Sequence, residues 1–111
     1  MALQAVRRKP VNHSGLDALE RKAAQAAALL KLLANENRLL ILCRLALEGE
    51  MAVNELADSV GLSQSALSQH LAKMREEGLL ATRRDAQTVF YRIANADAER
   101  ILTLLKDIYC P

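Results

Sequence analysis

A chain of 111 residues has room for one compact domain of the usual roughly 100–150 residues, and so for one site system. Hydrophobic residues make up 51% of it, but aromatics are only 3% and Trp is absent, so a core must be built from Leu, Ala, Ile and Val, a composition that favours helices. The formal charge of +2 selects no partner, no apolar run approaches the ~18 residues of a membrane span, and Arg7, Arg8 and Lys9 are not followed by the apolar stretch of a secretory signal, so a cytoplasmic protein without membrane contact is expected.

Residues 1–15, with the basic cluster, Pro10, Asn12 and Gly15, read as a flexible, solvated arm, and residues 16–111 as the folded domain. From Leu16 the apolar positions Leu16, Leu19, Ala23, Ala26, Leu30 and Leu33 follow steps of three and four, which predicts one helix with a single apolar stripe. Such a stripe suits either an ordinary core or a second copy of the same helix across a two-fold axis. Asn35 is placed to N-cap a helix over Glu36–Leu47 that Gly49 ends, and Cys43 falls on the inner side of that helix. Two further helices are expected near Val53–Val60 and Gln64–Glu77, the latter closed by Gly78. The run Leu80–Arg84, the turn Asp85–Gln87 and the β-branched and aromatic run Thr88–Ile93 predict a two-stranded hairpin. A last helix over Asp97–Tyr109 is expected to bury Ile101, Leu104, Leu105 and Ile108.

Charge is unevenly placed. Residues 48–58 hold four acids and no base, whereas residues 63–92 hold five bases (Lys73, Arg75, Arg83, Arg84 and Arg92) against three acids, so any basic face lies in the second half. The stretch from Val53 to Leu71 has the spacing of two helices crossing steeply through a short turn: small Ala57 at the crossing, Gly61 in the turn, and Leu67 as the aliphatic anchor of the second helix. Ser63 is placed to N-cap that second helix, and Leu67, Leu71 and Met74 turn one side of it inward. Gln64, Ser65, Ser68 and Gln69 are then left outward, and such short polar side chains can pair with base edges, while the helix N-terminus suits a phosphate. Singly, each of these residues is equally well read as ordinary soluble surface; as a set, followed by a hairpin with two arginines, they point to nucleic acid.

This run, with the Leu-Ala-Asn-Glu-Asn-Arg-Leu-Leu-Ile-Leu segment at Leu33–Leu42 before it and the hairpin after it, resembles the ArsR/SmtB family of bacterial repressors over roughly residues 16–109. The resemblance implies a fold that is mainly α with a small β-hairpin: a winged helix-turn-helix of four helices, two strands and a fifth helix. It implies a homodimer through the first and last helices, and double-stranded operator DNA as the partner of Ser63, Gln64, Ser65, Ser68, Gln69, His70 and Lys73, with Arg83, Arg84 and Gln87 as wing contacts.

The family's metal sensors carry two Cys one residue apart in a Glu-Leu-Cys-Val-Cys-Asp-Leu pattern. Here Ala52 and Asn54 stand at those positions, and the last helix has Asp97, Glu99 and Asp107 but no His, so neither a metal nor another cofactor is expected. The only thiols are Cys43 and Cys110, too few for a disulfide scaffold. Two separate intracellular cysteines are more often inert than functional. Resemblance to the persulfide-sensing subgroup of the BigR, SqrR and HlyU kind, which has one Cys in each of the corresponding helices, instead implies a redox pair: the reduced form binds operator, and a bridge made by reactive sulfur releases it. Arg44 and Lys106 are the candidates for acidifying these thiols. Two alternatives remain at this level: a metal-sensing repressor using Cys43, Cys110 and His13, and a winged-helix protein-interaction module. No glycine-rich phosphate loop and no nucleophile–His grouping supports an enzyme.

Overall fold

The computed structural model describes residues 13–110; the basic cluster Arg7–Lys9, with the rest of the first twelve residues, lies outside them. The chain divides into two compact units, up to Lys31 and from Leu32 onward. In the first, α1 (His13–Arg21) begins within the segment read as an arm, and α2 (Ala23–Leu33) follows after one residue. The single helix expected from Leu16 is therefore interrupted. At Lys22 the N–H is shared between the Ala18 and Leu19 carbonyls, both at 3.1 Å, which tightens one turn before Ala26 N–H resumes the ladder on the Lys22 carbonyl at 2.9 Å. Leu16, Leu19 and Leu30 of the expected stripe are exposed.

The second unit opens with α3 (Glu36–Glu48), capped by the Asn35 side chain, which accepts from Arg38 N–H at 3.1 Å, and ended at Gly49. A short strand β1 (Met51–Ala52) follows, which the sequence did not suggest. Then come α4 (Val53–Val60), α5 (Gln64–Glu76), β2 (Leu80–Asp85), β3 (Thr88–Ile93) and α6 (Ala96–Tyr109). The hairpin is thus part of a three-stranded antiparallel sheet in the order β1-β3-β2, with Met51 opposite Tyr91, Ala52 opposite Phe90, and β2 paired to β3 from Leu80–Ile93 to Asp85–Thr88. The two-residue turn puts Ala86 at φ 56°, a left-handed conformation that is costly for a residue with a Cβ.

Ile41, Leu42 and Leu45 of α3, Leu56 of α4, Leu67, Leu71 and Met74 of α5, Leu79, and Leu102 of α6 have almost no exposed surface and form the core. On α6 the inward stripe is Ala98 and Leu102. The expectation for that helix is corrected here: Leu104 and Ile108 are more than half exposed, and Ile101 and Leu105 only partly covered. Two adjacent stripes of one helix carry aliphatic residues, and only one of them meets α3 within a single chain.

Candidate nucleic-acid interface and paired thiols

Between α4 and α5 the chain turns at Gly61, whose φ of 73° disfavours any residue with a Cβ although open space surrounds the position. Ser63 Oγ then accepts from Ala66 N–H at 3.1 Å and starts α5. With Leu67, Leu71 and Met74 buried, Gln64, Ser65, Ser68, Gln69 and Lys73 are exposed and His70 is half-buried at the flank. The near side of α4 is fixed from α3: Arg44 Nε donates to Ser59 Oγ at 2.6 Å. Glu55 accepts from Ala52 N–H at 3.1 Å and supplies the cap that Ala52 itself lacks. The outward face of α5 is polar, and it stands on a core that leaves it little freedom to rotate.

The wing presents Arg84 and Gln87 to solvent, but not a free Arg83. Arg83 donates from Nε to both Glu50 carboxylate oxygens (3.2 and 3.1 Å) and from Nη2 to Oε1 (2.7 Å), with its guanidinium 4.7 Å from the centre of the Phe90 ring. The hydrogen bond from Arg83 holds the Glu50 carboxyl below its usual range, and Arg92 adds to the effect. Arg83, expected as a wing contact, is thus engaged by a carboxylate of its own chain while remaining at the surface. Glu50 lies 33 residues away in sequence, before a strand of two residues, and no local pattern announces it.

Cys43, half-buried on α3, and Cys110, exposed at the C-cap of α6, are both free thiols. They line one cavity of about 680 Å³ between those helices, together with Leu39, Leu47, Leu102 and Tyr109. Burial pushes the Cys43 thiol up from its usual 9.0, and negative charge on Cys110 pushes it in the same direction. Neither expected activator lowers the Cys43 thiol: Arg44 is engaged by Ser59 and stands 3.9 Å from Glu48, while Lys106 lines the cavity and lies 3.8 Å from Asp107. Among the described residues no group of three or more His, Cys, Asp or Glu could hold a metal ion. No helix there is long and apolar enough to cross a membrane.

A capped helix with an outward polar face, a helix packed behind it through a glycine turn, and a hairpin at its side define a winged helix-turn-helix DNA-binding regulator. The chain belongs to the arsR family of bacterial regulatory proteins, whose profile matches residues 35–82, from the cap of α3 into β2. It is 50% identical over 95 residues to the transcriptional activator HlyU of Vibrio cholerae serotype O1, covering 86% of this chain and 87% of that protein. It is 38% identical over 105 residues to a biofilm growth-associated repressor of Xylella fastidiosa strain Temecula1, covering 95% of this chain and 91% of the relative. The structure described as reduced HlyU from Vibrio cholerae N16961 superposes with a TM-score of 0.77 at 47% identity, covering 86% of this chain and 99% of that one. The protein is thus a transcriptional regulator.

Proposed function

We propose that the protein is a dimeric repressor that holds operator DNA while Cys43 and Cys110 are reduced and leaves it when reactive sulfur links them. The observation that carries this reading is the pair of free thiols, one on α3 and one at the end of α6, on the wall of a single apolar cavity. A sulfane donor RSSH supplies the oxidising equivalents. One cysteine thiolate attacks the outer sulfur and expels RS⁻, and the second thiolate attacks the inner sulfur of the resulting cysteine persulfide and expels HS⁻. The balance is two Cys–SH plus RSSH giving Cys–S–S–Cys, RSH and H₂S.

Operator contact is assigned to Ser63, Gln64, Ser65, Ser68, Gln69, His70 and Lys73 on and before α5, and to Arg84 and Gln87 of the wing. Dimerisation is assigned to the first helices and α6, supported by the exposed Leu16, Leu19 and Leu30 on the former and Leu104 and Ile108 on the latter. A link between α3 and α6 then strains a dimer helix, and a coupling of ~2 kcal/mol weakens operator binding roughly thirtyfold.

Binding of the purified protein to its own promoter DNA, measured reduced, after polysulfide, and with excess zinc or chelator, tests the proposal. Release by polysulfide alone is expected, together with retention by Cys43→Ser and Cys110→Ser after the same treatment. A Cys43→Ser protein that still leaves its operator on polysulfide overturns the thiol switch and leaves DNA binding intact.

A further inference from the structure

The pairing of Met51 with Tyr91 and Ala52 with Phe90 fixes the register of β1, and alternation along the strand then puts Glu50 on the sheet face that carries Arg83, Phe90 and Arg92. Arg83 is committed there twice: its Nε and Nη2 edge grips the Glu50 carboxylate, and its plane rests on Phe90. That edge is the fork that would match a phosphate, and a guanidinium neutralised by a carboxylate displaces no counterions when DNA approaches. Arg84 points to the other face and has no ion-pair partner among the described residues. The two neighbouring arginines are alike in sequence but not in state.

We infer that Glu50 is a charge mask for Arg83, which leaves the phosphate attraction of the wing to Arg84 and makes the protein's sequence-independent hold on DNA weaker than its arginine count implies. The inference rests on the reading that the wing faces DNA. Its physical content is that one cation per protomer is kept out of the phosphate count. The depressed Glu50 carboxyl and the correspondingly raised Arg83 are consistent with a pair that stays ionised on both sides at neutral pH.

The test uses the full-length protein on a random-sequence duplex between 50 and 200 mM salt. Glu50→Gln keeps the shape of the side chain and removes its charge. Its log–log salt slope is expected to be steeper than the unaltered protein's by about 2, one further phosphate for each protomer of a dimer, so that its advantage in affinity is about tenfold greater at 50 mM than at 200 mM. Glu50→Ala, which also frees the guanidinium, should behave likewise. In Glu50→Gln/Arg83→Gln the pair regains its original net charge, and the slope should return to its starting value. An unchanged or shallower slope in both single variants overturns the mask, as does a gain that persists in the double variant. Arg84→Gln separates the two ideas. If it flattens the slope while the Glu50 variants change nothing, only the mask fails; if Arg84→Gln leaves the slope unaltered, the wing is not at the phosphates and both fail.

Discussion

Arg38 near the start of α3 and Glu77 at the end of α5 meet at 2.8 Å, Nη2 to Oε1, with side chains only 11% and 24% exposed. The contact is an ion pair without an aligned hydrogen bond to Oε1, and the other arm of the same guanidinium, Nη1, donates to the Leu32 carbonyl at 2.9 Å. One side chain therefore ties the end of α5 to two points further up the chain. An acid at a helix C-terminus opposes the helix dipole, and Arg38 offsets that cost at Glu77.

Removing Arg38 should matter more than removing Glu77. Pairs this enclosed lie between the exposed case, about 0–1 kcal/mol, and the buried case, about 3–5 kcal/mol, so Arg38→Ala is expected to cost about 2 kcal/mol. Glu77→Ala should cost less, because the Leu32 bond survives and an unfavourable acid is removed. Urea unfolding of both variants decides the order; a larger loss for Glu77→Ala would count against Arg38 as the central tie.

On α5, Gln69→Ala should relax base preference by on the order of 1–3 kcal/mol, the size of a good side-chain-to-base contact. Arg84→Ala should instead weaken operator and random duplexes alike. Competition binding against a set of single-base operator variants checks both. Equal losses for Gln69→Ala on operator and random DNA would remove Gln69 from base readout.

The two thiols should differ in access and in pH response. Cys110 is exposed and Cys43 half-buried, so limiting iodoacetamide at pH 7 should label Cys110 first, read by peptide mass spectrometry. Because burial raises the Cys43 thiol above 9.0, its labelling rate should still be climbing past pH 9. The sign for stability follows from proton count. Above pH 9 the unfolded chain has lost this proton while the folded chain keeps it, so folding stability falls as pH rises through the raised value, and Cys43→Ala should abolish that part of the fall.

The wing should respond to acid. With Glu50 held below its usual 4.5, chiefly by Arg83 and further by Arg92, its contribution is complete above 4.5 and is lost as pH falls through the lowered value. The Asp85 charge also acts on Arg83. Amide protection in β2 and β3, taken relative to the intrinsic exchange rate at each pH, should fall on acidification, and Glu50→Gln should remove most of the change. Exchange that responds equally in Glu50→Gln would assign the acid response to other carboxylates.

Helix ends were the most legible part of this fold, because each is a local event: Asn35 and Ser63 accept the bonds expected of caps, and Gly49 and Gly61 take positive φ where the helices stop. The hairpin was legible for the same reason, from β-branched residues flanking a short polar turn. What escaped the sequence was non-local or symmetric. The break at Lys22 leaves the three-and-four spacing of apolar residues intact on both sides, so periodicity is blind to it. Strand β1 has two residues, a single period of alternation with no repeat to reveal it. Periodicity also marks Leu104 and Ile108 as apolar positions without saying whether the surface that covers them belongs to the same chain. Among the candidate DNA contacts, helical phase sorted Gln64, Ser65, Ser68 and Gln69 to the outside, whereas the state of Arg83 depends on a carboxylate that only the sheet brings near.

Ala52 is at once the last residue of β1 and the N-cap of α4. The sheet and the helix-turn-helix therefore share a residue, with no spacer in which a change of chain length can be absorbed. A one-residue insertion between Met51 and Val53 would either turn Met51 and Glu50 to the opposite faces of the sheet, taking Glu50 away from Arg83, or keep the strand and rotate the start of α4 by about 100°. Two or three residues added at Ala86 and Gln87, which connect only the far ends of β2 and β3, should lengthen the hairpin tip without displacing either helix. Insertions that lengthen the wing thus have one permissive place to enter, and the other end of the same sheet is closed to them.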